Sequence, residues 1–483
     1  VDTSTLSNLF DGVATVVDAY AGTVVSGVSY RSDSTRPGDV FFCIPGFRRD
    51  GHDFAADAVS NGAVAVVCER AVEVPVPSLL VSDARLALAH VAARFHGHPS
   101  RRLDIAGITG TNGKTTTTYL LDAVLRRAGR RTGVIGTVET RIGDKRLPSA
   151  RTTPESADLQ ELFARMVTEG VGAVSMEVSS HAIDLYRVDG VRFAVAAFTN
   201  LTQDHLDYHH TLEEYWSVKR RLFTDLDVGE RVIDIDDPYG AQLARSLPGA
   251  RTVGRSLGAT VRAENERPAA DSTCFDLVTG DGTVTVDLPL PGAYNVSNAL
   301  VAAGCALALG IDLDTVAAGL SEAPQVPGRL ERVDEGQDFT VLVDYAHTPD
   351  SLTKAIAAVR AVTPGRVITV FGCGGDRDPE KRPLMGAAAG AGSDIVVVTS
   401  DNPRSEDPVG IILQIEDGLR GTAAEHTAEV DRRSAISHAI RIARSGDAVL
   451  IAGKGHEDYQ IFADRTIHFD DREVAREELK ARC

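Results

Sequence analysis

No apolar run in this 483-residue chain approaches the ~18 residues that a bilayer-spanning helix needs. The start of the chain lacks a charged-then-apolar leader, and Val1 is expected to follow a removed or trimmed start. The six cysteines (Cys43, Cys68, Cys274, Cys305, Cys373 and Cys483) form no C-x-x-C pair, so neither a zinc site nor a redox motif is signalled. Thiols scattered in a long chain fit a reducing cytosol. Positive charge is in deficit: 50 Lys and Arg against 68 Asp and Glu leave a net charge of −18, spread along the chain. That balance argues against nucleic acid or an anionic membrane as the main partner. It leaves room for an acidic small substrate at a local basic site. Simple repeats and low-complexity tracts are also missing. The expectation is a soluble, cytoplasmic, globular protein.

What is present reads as an α/β chain of about three domains, at ~150 residues each. The first unit, 1–99, alternates short apolar runs (23–28, 39–44, 63–67, 78–81) with a helix-like stretch at 85–95. Its loop-like segments, 29–39 and 46–51, gather hydroxyls, glycines and Arg31, Arg36, Arg48 and Arg49. That mixture suits a nucleotide or diphosphate, and equally an ordinary polar loop. The segment 96–100 reads as a linker. The second unit, 100–327, carries strands at 132–137, 173–178 and 193–199 and an amphipathic helix at 158–169. The last two strands are almost continuously apolar, as in a parallel sheet covered on both faces. Residues 259–290 alternate at period two and predict a small antiparallel addition, after which Asn295-Val296-Ser297-Asn298 opens a helix at 299–309. Beyond a Pro/Gly linker at 324–329, the third unit, 328–483, repeats the alternation. Strands at 340–343, 367–371, 395–399 and 448–451, with helices at 351–362 and 434–443, predict a second doubly wound sheet.

The most informative stretch is Gly107-Ile108-Thr109-Gly110-Thr111-Asn112-Gly113-Lys114-Thr115-Thr116. It lies between a buried strand at 103–106 and a helix at 117–129. Glycines there let backbone N–H groups converge on an anion, and the helix start adds partial positive charge. Lys114 can reach the β- and γ-phosphates, and Thr115 can ligate Mg²⁺. The spacing departs from the standard phosphate loop, whose opening glycine would stand at position 108, where this chain has Ile108.

Open α/β sheets bind ligands at strand ends. In the middle unit, Glu177-Val178-Ser179-Ser180-His181 and the segment 200–207, with Asp204 and His205, close two strands, while Thr152-Thr153-Pro154 precedes a helix. Taken singly, a strand-end Glu is a solvated cap and a lone His a surface or satisfied core residue; taken with the loop they are candidate metal or phosphate ligands. Lys219, beside Arg220 and Arg221, has a solvated surface charge as its default. It gains meaning only if its neighbours bury it near a metal. Four strand exits in the third unit carry Asp344-Tyr345-Ala346-His347, Gly372-Cys373-Gly374-Gly375-Asp376-Arg377, Asp401-Asn402-Pro403-Arg404 and Gly453-Lys454-Gly455-His456-Glu457. Glycine, arginine and acid on one rim suit a small zwitterionic ligand.

With these motifs in order along essentially its whole length, the chain resembles the cytoplasmic Mur ligases, and among them the branch that adds the third residue to the peptidoglycan stem peptide. The resemblance implies a small α/β N-terminal domain, a central ATPase-type parallel sheet and a C-terminal Rossmann-like sheet. It implies, in turn, binding of UDP, of ATP and of an amino acid. It also implies that ATP converts a carboxylate of UDP-MurNAc-L-Ala-D-Glu to an acyl phosphate, which an incoming amine attacks with loss of phosphate. By the same resemblance Gly110, Thr111, Asn112, Gly113, Lys114, Thr115 and Thr116 hold the triphosphate, and Asn298, Arg329 and Asp344 touch adenine and ribose. Thr115, Glu177, His205 and a CO₂-derived carbamate on Lys219 attend Mg²⁺. Ser32, Thr152, Thr153, Ser179 and Arg187 grip the UDP substrate. Carbamylation would turn an amine into a carboxylate-like metal ligand. The expected protein is a monomer that needs neither nucleic acid nor membrane insertion.

The third-unit rim suggests which amino acid is added. Diaminopimelate has a carboxylate and an amine at its far end, whereas lysine has only the amine. Arg404 offers a planar fork for that carboxylate, Glu457 a partner for the far ammonium, and Arg377 a partner for the other carboxylate, with Asp401, Asn402 and Gly453 beside them. An Arg404 left unpaired would cost a lysine complex ~1–3 kcal/mol, which favours meso-diaminopimelate. One departure from the family is Arg31-Ser32-Asp33, where Asp-Ser-Arg is frequent. Two rivals are a relative with another acceptor, of lysine-adding or folylpolyglutamate type, and a nucleotide-switched binding protein that hydrolyses ATP only to change shape.

Overall fold

The computed structural model describes residues 3–47, 49–148, 151–269 and 271–482; of the positions named above, Val1, Arg48 and Cys483 lie outside them. The chain packs as two compact units. One comprises Val1–Thr109, Gly129–Ala197 and Ser217–Arg231, the other Gly110–Ala128, Phe198–Trp216 and Val232–Cys483. No helix among the described residues is long and apolar enough to cross a membrane.

In the first unit, Gly27–Ser29, Asp39–Phe42, Ala65–Cys68 and Ser78–Leu80 form a four-stranded parallel sheet. Alternate residues go to opposite faces, as the pleat requires. Phe42 and Val67 join a core with Leu6, Leu9 and Phe10, while Phe41 and Val66 pack with Ala55 and Ala58. The apolar run expected as one strand at 23–28 is two strands. Val24–Val25 pairs antiparallel with Ser4–Thr5, and Gly27–Ser29 joins the parallel sheet. Between them the Ser26 amide donates to the Gly38 carbonyl at 2.9 Å, which marks the change of partner.

A second sheet in this unit sets Ala173–Glu177 between the parallel strands Thr132–Ile135 and Asp104–Thr109, with Glu177 opposite Ile108. The hairpin Thr140–Ile142 and Lys145–Leu147 extends it antiparallel, a feature the sequence pattern did not disclose. The helix expected at 158–169 runs Ser156–Thr168 and buries Leu159, Leu162, Phe163 and Met166.

In the second unit the residues expected as an antiparallel addition form Val261–Pro268, Thr273–Thr279 and Gly282–Leu288, antiparallel to one another. They continue the parallel pairing of Arg251–Gly254 with Val261–Pro268. The phosphate-loop helix is Lys114–Arg127, and it packs on Ala293–Ala308 and Leu313–Ser321. The helix expected at 299–309 begins six residues earlier, at Ala293, behind Gly292 at φ 96°. Asn295 and Asn298 are therefore buried inside its first turns and do not cap it.

The C-terminal sheet has the order Glu331–Arg332, Thr340–Asp344, Ala448–Ala452, Val367–Phe371, Ile395–Val398, Glu425–Ala428. All neighbours are parallel except the first pair. Leu342, Phe371 and Leu450 face one apolar layer, and Val341, Val370 and Ile451 the other. That double coverage is why the strands read as unbroken apolar runs.

A close helix contact supports the phosphate-loop helix. A Cβ at Gly319 would lie 2.6 Å from Val124 Cα, a backbone atom that has little freedom to yield. Gly319→Val is expected to lower unfolding stability by about 1–3 kcal/mol through overpacking. An unchanged urea midpoint would show that the two helices separate without cost.

Candidate active site

The loop between Thr109 and Lys114 is shaped by two glycines. Gly110 has φ 151° and Gly113 φ 87°. A Cβ at Gly110 would fall 1.9 Å from Thr199 Oγ1, and one at Gly113 2.2 Å from Asn298 Oδ1. Ile108 stands where a standard phosphate loop has glycine because it still belongs to the strand: it is fully buried, and its carbonyl accepts from the Val178 amide at 2.8 Å.

Residues 199–202 pin the loop. The amides of Thr111 and Asn112 donate to the Asn200 carbonyl (2.8 Å) and to Asn200 Oδ1 (3.0 Å). Thr199 Oγ1 and Asn200 Nδ2 donate to the Asn112 carbonyl at 2.7 and 3.1 Å. Thr111 and Asn112 thus hold the loop's shape ahead of the helix that starts at Lys114. Lys114 Nζ folds back onto the carbonyls of Gly110 (2.9 Å) and Thr111 (2.8 Å). Thr115 Oγ1 accepts from Arg329 Nη2 at 3.1 Å.

Asn298, Arg329 and Asp344 line one cavity with Asn112, Gly113 and Thr116. Its volume is about 270 Å³, close to the lower end of ligand pockets, about 300–1,000 Å³. Asp344 accepts from the amides of Leu330 (2.7 Å) and Ala346 (2.8 Å). Burial raises its pKa despite Arg329 and those amides. The Arg329 guanidinium sits over the Tyr345 ring, 4.7 Å from its centre. The sequence reading missed Tyr294, Lys354 and an acidic group on the same wall, Asp234, Asp236 and Asp237. Its signal was available: acids directly after the apolar strand end at 232–233. Burial, reinforced by Asp236 and Asp237, pushes Asp234 up to about 7.

His205 sits beside Asp204, Nε2 to Oδ2 at 3.4 Å, at a left-handed backbone position with φ 55°. Burial of Asp204 favours its neutral acid, but His205, His347 and Lys114 outweigh it and hold the carboxyl below its ordinary range.

In the first unit Glu177 is buried at the end of its strand. Its two oxygens accept from the Thr137 amide (2.7 Å) and hydroxyl (3.1 Å). Thr137 Oγ1 lies 3.0 Å from Thr152 Oγ1. Thr153 Oγ1 donates to the Glu177 carbonyl at 2.8 Å and accepts from the Ser179 amide at 3.2 Å. Arg187 donates to the Thr153 carbonyl at 3.2 Å and pairs with Glu155 at 2.9 Å. Glu177, Thr152, Thr153, Ser179 and Arg187 therefore form one network, and Thr137 and Glu155 are its unforeseen members. Ser32 does not belong to it. Ser32 opens a short 3-10 turn in which Arg31 and Asp33 pair with each other at 3.0 Å, and its carbonyl accepts from Asn61 at 2.8 Å.

Lys219 is not the solvated charge that its neighbours in sequence suggest. It lies on the helix Leu212–Thr224 and is 1% exposed, with Nζ 3.5 Å from Thr109 Oγ1.

On the C-terminal rim, Asn402 Nδ2 donates to Glu457 Oε2 at 2.8 Å. Burial, with Asp401 close by, raises the Glu457 carboxyl's pKa. Lys454 is wholly buried, bonds the Tyr459 carbonyl and lies 3.5 Å from Glu457. Arg404, at φ 52°, donates Nη1 to the Gly375 carbonyl at 2.7 Å. A Cβ at Gly374 would meet Arg404 Nη1 at 2.9 Å and Arg377 Cγ at 3.8 Å, so both arginines flank this glycine. Gly453, at φ 113°, leaves only 2.8 Å between a Cβ and Asp401 Oδ2. Arg377 itself is exposed.

Three family models match in succession: a Mur ligase family catalytic domain at 24–99, a Mur ligase middle domain at 108–306 and a Mur ligase glutamate ligase domain at 328–455. The chain belongs to the Mur ligase family. Its fold is the three-domain α/β architecture of that family. This Mur ligase is 50% identical over 466 residues to the UDP-N-acetylmuramoyl-L-alanyl-D-glutamate–2,6-diaminopimelate ligase of Geobacillus kaustophilus, covering 94% of this chain and 95% of that one. It is 45% identical to the protein of the same name from Caldanaerobacter subterraneus, covering 98% of each. A solved structure of a ligase of that name superposes with a TM-score of 0.73 at 31% identity, over 99% of both chains.

The Gly113 contact gives a direct test of the loop in this Mur ligase. Gly113→Ala must strain a positive φ and push Asn298 aside, so its nucleotide affinity is expected to fall about tenfold or more, ~1.4 kcal/mol. Calorimetric titration giving wild-type affinity would separate the loop from nucleotide binding.

Proposed function

We propose that this chain joins 2,6-diaminopimelate, in its meso form, to UDP-MurNAc-L-Ala-D-Glu at the expense of ATP. The observation that carries the proposal is half-identity over nearly the full length to proteins of that name. The glycine-shaped loop beside a cavity lined by Asn298, Arg329 and Asp344 supports it. The substrate carboxylate attacks the γ-phosphorus, ADP leaves, and an acyl phosphate forms. The amine of diaminopimelate then attacks the acyl carbon, and the tetrahedral intermediate expels phosphate. Lys114 and the helix start hold the phosphates. Asn298, Arg329 and Asp344 hold the nucleoside, and Ser32, Thr152, Thr153, Ser179 and Arg187 the UDP substrate. The corresponding division is 1–99 for UDP, 100–327 for ATP and 328–483 for the amino acid. The protein works as a cytoplasmic monomer, without nucleic acid.

Mg²⁺ would suit the chemistry of the residues that the family resemblance assigns to it. It takes oxygen ligands, commonly one or two carboxylates together with substrate phosphates. Thr115 and Glu177 would supply such oxygens, His205 a nitrogen, and a carbamate on Lys219 another carboxylate-like group. No cluster of three or more His, Cys, Asp or Glu suited to a metal occurs among the described residues, and this mode of binding requires none. When bound, the ion neutralises phosphate charge. Burial of Lys219 supports the carbamate in that it removes the solvated surface role its neighbours in sequence suggested.

The rim gives the amino-acid preference its physical basis. Burial first and Asp401 second raise the Glu457 pKa against the pull of Lys454, and a ligand ammonium beside these carboxyls would favour the ionised form. Arg404, anchored by Gly375, presents its fork to the far carboxylate, with Arg377 beside it for the other.

Purified protein is expected to release phosphate from ATP rapidly only with both UDP-MurNAc-L-Ala-D-Glu and meso-diaminopimelate present. Equal turnover with L-lysine would overturn the role given to Arg404, and turnover independent of any amino acid would favour a nucleotide switch. Lys219→Ala is expected to lose activity and to regain some of it with a short carboxylic acid. Failure of every such acid to rescue would count against carbamylation.

A further inference from the structure

Arg432 and Asp471 form a wholly buried ion pair that no step above uses; both side chains are 0% exposed. Arg432 opens the helix Arg432–Ile442, and Asp471 opens the last helix, Asp471–Arg482. Arg432 Nε and Nη2 each donate to one Asp471 oxygen at 2.7 Å, the bidentate geometry. Two donors turn elsewhere: Nη1 to the Ser400 carbonyl at 3.2 Å and Nη2 also to the Ala452 carbonyl at 3.0 Å.

Those two carbonyls have a particular place in the chain. Ser400 immediately precedes Asp401-Asn402-Pro403-Arg404, and Ala452 immediately precedes Gly453 and the loop ending in Glu457. A single guanidinium thus ties together the two strand exits that carry most of the rim. They are not adjacent in the sheet, because Val367–Phe371 lies between Ala448–Ala452 and Ile395–Val398. Asn402 Nδ2, donating to Glu457 Oε2 at 2.8 Å, links the two segments further out, and the guanidinium ties them at their bases. The charge is also felt at the rim: burial by itself would weaken protonated Arg432, but Asp471, Asp401 and Glu457 outweigh it. Burying an ion pair has a large desolvation cost, so burial of this one is not explained by stability alone.

We propose that the Arg432–Asp471 pair is a positioning device for amino-acid recognition, setting the distance between the Asp401–Arg404 and Gly453–Glu457 segments. This rests on the reading of the rim as the diaminopimelate site. Arg432 acts through backbone carbonyls, and its planar fork matters because an ammonium, with three donors, cannot reproduce its four bonds to Asp471, Ser400 and Ala452.

The test is steady-state kinetics of the full-length enzyme carrying Arg432→Lys and, separately, Asp471→Asn, with Arg404→Ala as reference and thermal unfolding as a check on folding. The KM for meso-diaminopimelate is expected to rise about tenfold or more in each, as small displacements in a site do. The KM values for ATP and for UDP-MurNAc-L-Ala-D-Glu should stay within about twofold. An unchanged diaminopimelate KM in a folded variant overturns the proposal. So does a parallel rise for all three substrates, or the absence of folded protein in both variants, since either makes the pair a general scaffold. If Arg404→Ala also leaves that KM unchanged, the reading of the rim fails first. If Arg404→Ala raises it and the two pair variants do not, only the positioning role fails.

Discussion

Asn200 grips the phosphate loop with its backbone carbonyl, its amide oxygen and its amide nitrogen at once. A glycine-rich loop has more conformational freedom to lose than any other segment, so its shape must be imposed from outside. Here the imposing element is the chain just past Phe198, with Thr199 and Thr202 adding their own bonds to Asn112 and Thr111. Because that shape is fixed, Gly113 can stand against Asn298, and Thr115 can accept from Arg329. Each wall of the cavity is thereby defined relative to the loop.

Much of this order could be read from residue types. Strand, glycine, lysine and helix in succession announced the loop, and polar strand exits announced the rim. The apolar runs were legible because a strand covered on both faces has no polar side to alternate. Ile108 in the expected glycine position has a simple origin: the strand expected to end at 106 runs through Thr109, so the loop's own glycines begin at Gly110.

What stayed illegible depended on contacts distant in sequence. The run at 23–28 divides because Ser4 and Thr5 claim its first half, and no local pattern reveals that competition. The helix start near Asn295 was misplaced because Asn is a favoured cap, whereas Gly292 ends the preceding loop and the asparagines turn inward. Lys219 looked solvated beside Arg220 and Arg221, and only the packing of its helix buries it. Thr137 gave no signal at all, since its importance lies wholly in its proximity to Glu177.

The salt bridge between Arg432 and Asp471 also constrains how this sequence can drift. Loss of either partner leaves the other's charge in a dry interior, typically a penalty of about 3–5 kcal/mol, whereas exchange of both for well-fitting apolar groups can be neutral. A one-step route that removes either charge therefore passes through a less stable intermediate. The two positions are locked to each other across 39 residues of chain, and they are expected to change together or to remain as they are.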